Sequence, residues 1–312
     1  MHLPRAIVGS LLTLAIAFSS TAQDKKEPPK KAPNPVFTNG AEAGPDFIIQ
    51  GDYEGKLGND KAGAQVVALG DGKFDVYLLP GGLPGAGWNA ADKTRAEAAT
   101  AEGKVAVTGK ATGTIADAKL TGKTADGAEF AFTKVERKSP TIGAKAPEGA
   151  KVLFDGKNAD QWTNGKLVEG DLLSMGTNSK EAIGTGKLHL EFRSPFQPKA
   201  RGQGRGNSGM FIHGSEVQVL DSFGLTGEKN ECGALYNKRK PDVNMCLPPL
   251  SWQTYDVEIK ADGDNLVATV LHNGVKVHEN FVLKKGAVKP ANIQLQNHGN
   301  PVAYRNIWYM PQ

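Results

Sequence analysis

Between Asn207 and Asp221 the chain reads Asn-Ser-Gly-Met-Phe-Ile-His-Gly-Ser-Glu-Val-Gln-Val-Leu-Asp, which places His213, Glu216, Gln218 and Asp221 within nine residues. A carboxylate, an imidazole and an amide at this spacing supply a general acid or base and hydrogen bonds for a polar ligand. Glu216, Gln218 and Leu220 alternate with Val217, Val219 and Asp221, so a strand here carries acid and amide groups on one face and aliphatic groups on the other. A polar face on an otherwise apolar strand needs water, a polar network or a ligand beside it. The stretch is therefore read as the floor of a ligand cleft. A second alternating run, Lys187–Arg193, sends His189, Glu191 and Arg193 one way and Leu188, Leu190 and Phe192 the other. Glu216, Glu191 and His213 are the acid/base candidates; pairing with Arg193 or Arg305 is the structural use open to Glu191. His213 beside Glu216 also makes a divalent metal the one cofactor the residues suggest, although three residues across a turn is no recognised ligand spacing.

The elements that must position these groups read as strands. Gln65–Leu69 and Lys73–Leu79 flank Gly70-Asp71-Gly72, a hairpin signal, and Asn273-Gly274 marks a type I′ turn. Trp252–Ala261 and Leu266–His272 flank Asp262-Gly263-Asp264. Asn292–His298 sets Gln294, Gln296 and His298 opposite Ile293 and Leu295. Lys93–Ala101 alone has a helical composition. The Gly/Arg-rich stretch 196–207 reads as a mobile basic loop. Pro80–Trp88 reads as a rigid loop plugged into the core, and Trp162, Trp252 and Trp308 as core residues. Roughly ten strands at this spacing after residue 150 predict a two-sheet jelly-roll sandwich, preceded by a small β domain.

Composition agrees: 39% hydrophobic, 22% charged, 38 Gly and 18 Pro in 312 residues suit an all-β globular chain. The net charge of +4 owes much to Lys25, Lys26, Lys30 and Lys31, so it implies no nucleic-acid partner. Residues 1–22 read as a secretory signal, with Arg5, an apolar run over Ala6–Phe18 and small residues up to Ala22. That predicts a periplasmic or secreted protein with no membrane span after cleavage. Residues 23–35 form a Lys/Pro-rich linker, 36–138 the small β domain, 139–150 a second linker and 151–312 the sandwich. In an oxidising compartment Cys232 and Cys246 would join as a disulfide, closing a loop of about 15 residues worth roughly 3 kcal/mol.

The ordered segments Val152–Gly156 with Trp162, Leu190–Arg193, Asn207–Gly209, Glu216–Asp221, Cys232–Tyr236, Trp252–Tyr255, Asn273-Gly274, Gln294–Gln296 with His298-Gly299, and Arg305–Ile307 resemble the 3-keto-disaccharide hydrolase family. That family is also described as 3-keto-glucoside lyase/hydratase. The resemblance covers about 150–312 and implies a concanavalin A-like jelly roll acting on sugars oxidised at C3. A C3 ketone acidifies the C2 proton, so a base can remove it and the glycosidic oxygen leaves C1; water then adds to the enone-like glucal. Glu216 and Glu191 match the family's glutamates. Arg193, Asn207, Gln218, Tyr236, Gln294 and His298 are the expected contacts to the 3-keto-sugar or other carbohydrate. The competing readings are a non-catalytic carbohydrate-binding module and a cell-surface adhesion protein.

Overall fold

Strict alternation of small and branched apolar residues, as in Ala62-Ala64-Val66-Ala68 and Phe74-Val76-Leu78, lets a sheet curl tightly with one face sealed. In the computed structural model, which describes residues 1, 34–286 and 289–312, it does so completely. The leader and all but the end of the first linker lie outside the described residues. A short helix α1 (Gly44–Ile49) leads into β1 (Gly51–Leu57), β2 (Asp60–Gly70), β3 (Lys73–Pro80), β4 (Thr94–Ala101), β5 (Lys104–Gly109), β6 (Ala111–Ala116), β7 (Lys119–Thr124) and β8 (Glu129–Val135). These close antiparallel in chain order, β8 pairing with β1. Side chains such as Tyr53, Phe74, Leu120 and Phe132 fill the interior. The stretch expected to be helical is β4: its alanines at 96 and 98 point inward and Arg95 and Glu97 outward, and pairing with β3 overrides alanine's helical preference.

The second half comprises β9 (Lys151–Phe154), β10 (Trp162–Thr163), β11 (Leu167–Val168), β12 (Leu172–Ser174), β13 (Thr177–Ile183), β14 (Gly186–Arg193), β15 (Ser208–Ile212), β16 (Ser215–Val219), β17 (Gln253–Asp262), β18 (Asn265–His272), β19 (Val275–Lys284), β20 (Ala291–Leu295) and β21 (Ala303–Pro311). They form the jelly-roll sandwich: a five-stranded sheet ordered β10-β13-β20-β15-β16 faces an eight-stranded sheet built on β11-β12-β21-β14-β17-β18-β19, with β9 on β21. Leu188, Leu190 and Phe192 of one sheet meet the core that Met210, Ile212, Val217 and Val219 of the other enter. Asn273 and Gly274 both have positive φ, the type I′ turn expected between β18 and β19. Among the described residues no helix is long and apolar enough to cross a membrane.

Val67, Tyr77, Leu79, Leu83 and Trp88, from the barrel's outer side and its 81–88 loop, belong to the sandwich's own hydrophobic cluster. Trp88 is thus a core residue, its Nε1 donating to Asp92 O at 2.7 Å. The loop 196–207, read from sequence as mobile, is pinned: Arg205 Nε meets Asp221 Oδ2 at 2.6 Å, both side chains buried. Cys232 and Cys246 are free buried thiols rather than a disulfide. They sit as small apolar groups in the core, with Cys232 Sγ 3.4 Å from Tyr255 Oη and Cys246 Sγ donating to Leu220 O at 3.4 Å. Because the barrel's outer side shares the sandwich's core, urea unfolding should show a single transition by all probes. Leu83→Ala should lower its free energy by about 2–5 kcal/mol. Two separate transitions would contradict the shared core.

Candidate active site

The outer face of the five-stranded sheet is built from register. Phe211 of β15 pairs with Glu216 of β16 on one side and with Gln294 of β20 on the other, and Gln294 pairs with Asn178 of β13. Beyond β16 the segment 233–236 adds a further edge: Val217 bridges Leu235, and the Tyr236 N–H donates to Glu216 O at 3.0 Å. Paired residues share a face, so Asn178, Gln294, Phe211, Glu216 and Tyr236 form one row, about 20 Å long at the usual strand spacing. The next row holds Gln218, Gly209 and Gln296.

Glu216 is half-buried between two half-buried aromatics, Phe211 and Tyr236. Among the described residues it has no ion pair with any cation. Burial alone pushes its carboxyl up to about 7. The carboxylate lies over Gly209: a Cβ there would stand 2.2 Å from Glu216 Oε1. With the Gln218 amide turned so that both its ends find partners, its Nε2 donates to Ser208 O at 2.8 Å and to Glu216 Oε1 at 3.1 Å. Asn207 closes this end, donating its N–H to Asn300 Oδ1 at 2.8 Å and its Nδ2 to Gln203 O at 2.8 Å. The arrangement is a single carboxylate poised near neutrality among amides and aromatic rings, suited to exchanging a proton with an uncharged, hydroxyl-rich ligand.

The structure therefore gathers Glu216, Gln218, Tyr236, Gln294 and Asn207, and separates them from Glu191 and Arg193. Glu191 and Arg193 lie on β14 in the eight-stranded sheet, on the opposite outer face with the core between. Glu191 is buried and fully engaged: Oε1 accepts from Gly143 N at 2.6 Å and Asn306 Nδ2 at 2.9 Å, and Oε2 from Arg305 Nε at 2.7 Å. Burial works to raise its pKa, but hydrogen bonds from His189, Asn306, Arg305 and Gly143 hold it down at about 2. It anchors the linker, as does Asp256, which accepts from Thr141 Oγ1 at 2.7 Å and meets His189 Nδ1 at 2.6 Å. Arg193 is committed to Glu169 at 2.6 Å. His213 occupies the first position of the β15–β16 turn, with φ 47°. Burial lowers its pKa and its buried Nε2 has no partner among the described residues; no hydrogen bond or ion pair joins it to Glu216. His298 is exposed in the turn after β20 and has no hydrogen-bond partner among the described residues.

Among the described residues no three His, Cys, Asp or Glu side chains converge on a metal position. The pair His213 and Glu216 thus offers no donor set for the divalent metal that the sequence suggested. Two residues escaped the sequence reading. Phe211 and Gly209 lie opposite Met210 and Ile212 in the strand alternation, and that two-residue period was the available signal.

A carboxylate on an amide-lined outer face is chemistry that a sugar can meet, and the family match makes the chain a carbohydrate-active enzyme. The model of the 3-keto-alpha-glucoside-1,2-lyase-like domain matches residues 149–310, and the chain belongs to that family. Among solved structures it is similar to two candidate glycosyl hydrolases from Parabacteroides distasonis ATCC 8503. One is 26% identical, covering 54% of this chain and 85% of that chain at a TM-score of 0.48. The other is 18% identical, covering 53% and 94% at 0.41. A sialidase, 11% identical, covers 82% of this chain and 29% of its own at 0.31. No curated protein matches.

Two substitutions separate the faces. Gly209→Ala should displace only the end of the Glu216 side chain, leaving stability within about 1 kcal/mol of the parent while turnover falls at least roughly tenfold. Glu191→Gln should do the reverse, costing about 2 kcal/mol because Arg305 reaches solvent, with kcat unchanged. That stability depends on the ionised Glu191, so it is present above the ordinary glutamate pKa and lost as pH falls towards about 2. Urea titration and steady-state kinetics on both variants check this; a catalytic collapse in Glu191→Gln would contradict it.

Proposed function

We propose that the row centred on Glu216 cleaves 3-keto-glycosides by elimination followed by hydration. The observation that carries the reading is one half-buried carboxylate, with no ion-paired cation among the described residues, on an aromatic and amide face; burial pushes it up to about 7. Ionised Glu216 takes the C2 proton made acidic by the neighbouring ketone, and the C2–H electrons pass into the enolate. Collapse of the enolate forms the C1–C2 double bond and expels the glycosidic oxygen, which takes a proton from Glu216 or from water. Addition of water at C1, with proton return to C2, completes net hydrolysis. The Tyr236 hydroxyl and the Gln218 and Gln294 amides are the neutral donors on hand for the enolate oxygen, and Phe211 offers an apolar floor to the ring.

A single base suffices for this path because the proton it removes is the one it can return. Direct hydrolysis by paired carboxylates calls for two acids about 5–9.5 Å apart, and Glu191 is not on this face. The absence of an ion-paired cation beside Glu216 favours uncharged sugars. The leader-like residues 1–22 support action outside the cytoplasm, on substrate that an oxidation at C3 must first supply.

Incubation with a 3-keto-disaccharide, followed by the glucal's ultraviolet absorbance, tests the proposal. The parent should turn over, and Glu216→Gln should fold normally and lose at least about a hundredfold in kcat. Because the base acts ionised, kcat/KM should rise with pH and reach half its plateau near 7. Binding without turnover would instead identify a carbohydrate-binding module.

A further inference from the structure

Far from Glu216, the barrel and the eight-stranded sheet enclose a cleft of about 800 Å3, walled by α1, the end of β8, the 248–252 segment and β21. That volume is within the range of small-ligand sites. Its donors are unusually idle. Arg305 lies over the Trp252 ring at 3.9 Å and gives only its Nε to Glu191, so both terminal amino groups have no partner among the described residues. Arg137 uses Nε on Asp52 at 2.9 Å and Nη1 on Pro84 O at 2.7 Å, and its buried Nη2 has none. Gln50, 2% exposed, accepts from Ala68 N through Oε1 while its Nε2 is unpartnered. The Lys134 ammonium meets only the Ile48 carbonyl, and burial lowers its pKa.

The acids nearby engage the two arginines only through Nε. Both Asp52 oxygens are taken, by Gln65 Nε2 at 3.0 Å and by Arg137 Nε, and Glu136 pairs with Lys138 at 3.4 Å. Arg305 and Lys134 thus offer spare donors to one cleft beside an indole, while the unpartnered Arg137 Nη2 and Gln50 Nε2 are sealed in its wall. An acceptor-rich, negatively charged ligand with an apolar face satisfies that set.

We propose that this cleft is a second saccharide site that takes a carboxylate-bearing sugar, its acid group on Arg305 and its hydroxyls on the barrel wall. The saccharide class rests on the family membership; the acidic character rests on the cleft alone. The barrel then has a role in the enzyme: it supplies half of a site that holds acidic polymer while the neutral-sugar face works on the other side of the sandwich.

The test is calorimetric titration of the full chain with digalacturonate and with its uncharged disaccharide counterpart. Digalacturonate should bind at least about tenfold tighter than the neutral sugar. Ile48 lies exposed at the cleft wall, so Ile48→Glu should weaken digalacturonate binding by a similar factor without altering turnover of a 3-keto-glycoside. Trp252→Ala should weaken it too. Equal affinity for the two sugars, binding indifferent to Ile48→Glu, no binding to either, or equal competition by inorganic sulfate would each overturn the proposal. Digalacturonate binding in a protein that never turns over the keto-sugar would uphold this site and remove the elimination reading.

Discussion

A carboxylate on a half-buried sheet face, with no cation beside it, is costly to ionise, and everything about the Glu216 face follows from tolerating that cost. The aromatic rings of Phe211 and Tyr236 exclude water from its sides. Gly209 leaves the space in which it lies, and any side chain there would push it out. Gln218 offers a neutral donor that orients the group, and burial raises its pKa. The inner face of the same strands, Met210, Ile212, Val217 and Val219, holds the row flat against a dry core. Catalytic tuning and sheet packing are two sides of the same strands.

Glu191 shows what the opposite environment does to the same side chain. It is more deeply buried than Glu216, yet its acidity is strengthened, because an arginine, a histidine, an amide and a backbone N–H converge on it. Burial by itself does not make a general base; burial without compensation does. The compensated carboxylate holds the linker to the sandwich, and the uncompensated one faces ligand. The barrel, fused to the sandwich through Leu79, Leu83 and Trp88, makes that holding permanent.

Local pattern was legible wherever it was decided by adjacent residues. The two-residue period of Lys187–Arg193 and of Glu216–Val219 assigned the core-facing sides correctly, although His189, Glu191 and Gln218 on the other side are buried as well, and Asn273-Gly274 marked its turn. Motif order identified the family and with it the jelly roll. What alternation cannot say is which sheet a strand joins. β14 and β16 both read as acid on one face and aliphatic on the other, but β14 pairs with β17 and β21 while β16 pairs with β15. The β14 pairings join residues far apart in the chain, so Glu191 and Glu216 looked like partners until topology separated them. The same limit hid the closed barrel and turned an alanine-rich helix signal into β4. His213 holds the turn for a local reason: histidine tolerates the left-handed backbone of a tight hairpin.

The account stands on the charge state of one residue, which can be read directly. Carbon-13 NMR of the Glu216 side-chain carboxyl, assigned by comparison with Glu216→Gln and followed from pH 4 to 9, reports its titration in the resting protein. The account predicts a midpoint at about 7. A midpoint in the ordinary glutamate range, near 4.3, would show a compensated carboxylate and contradict it.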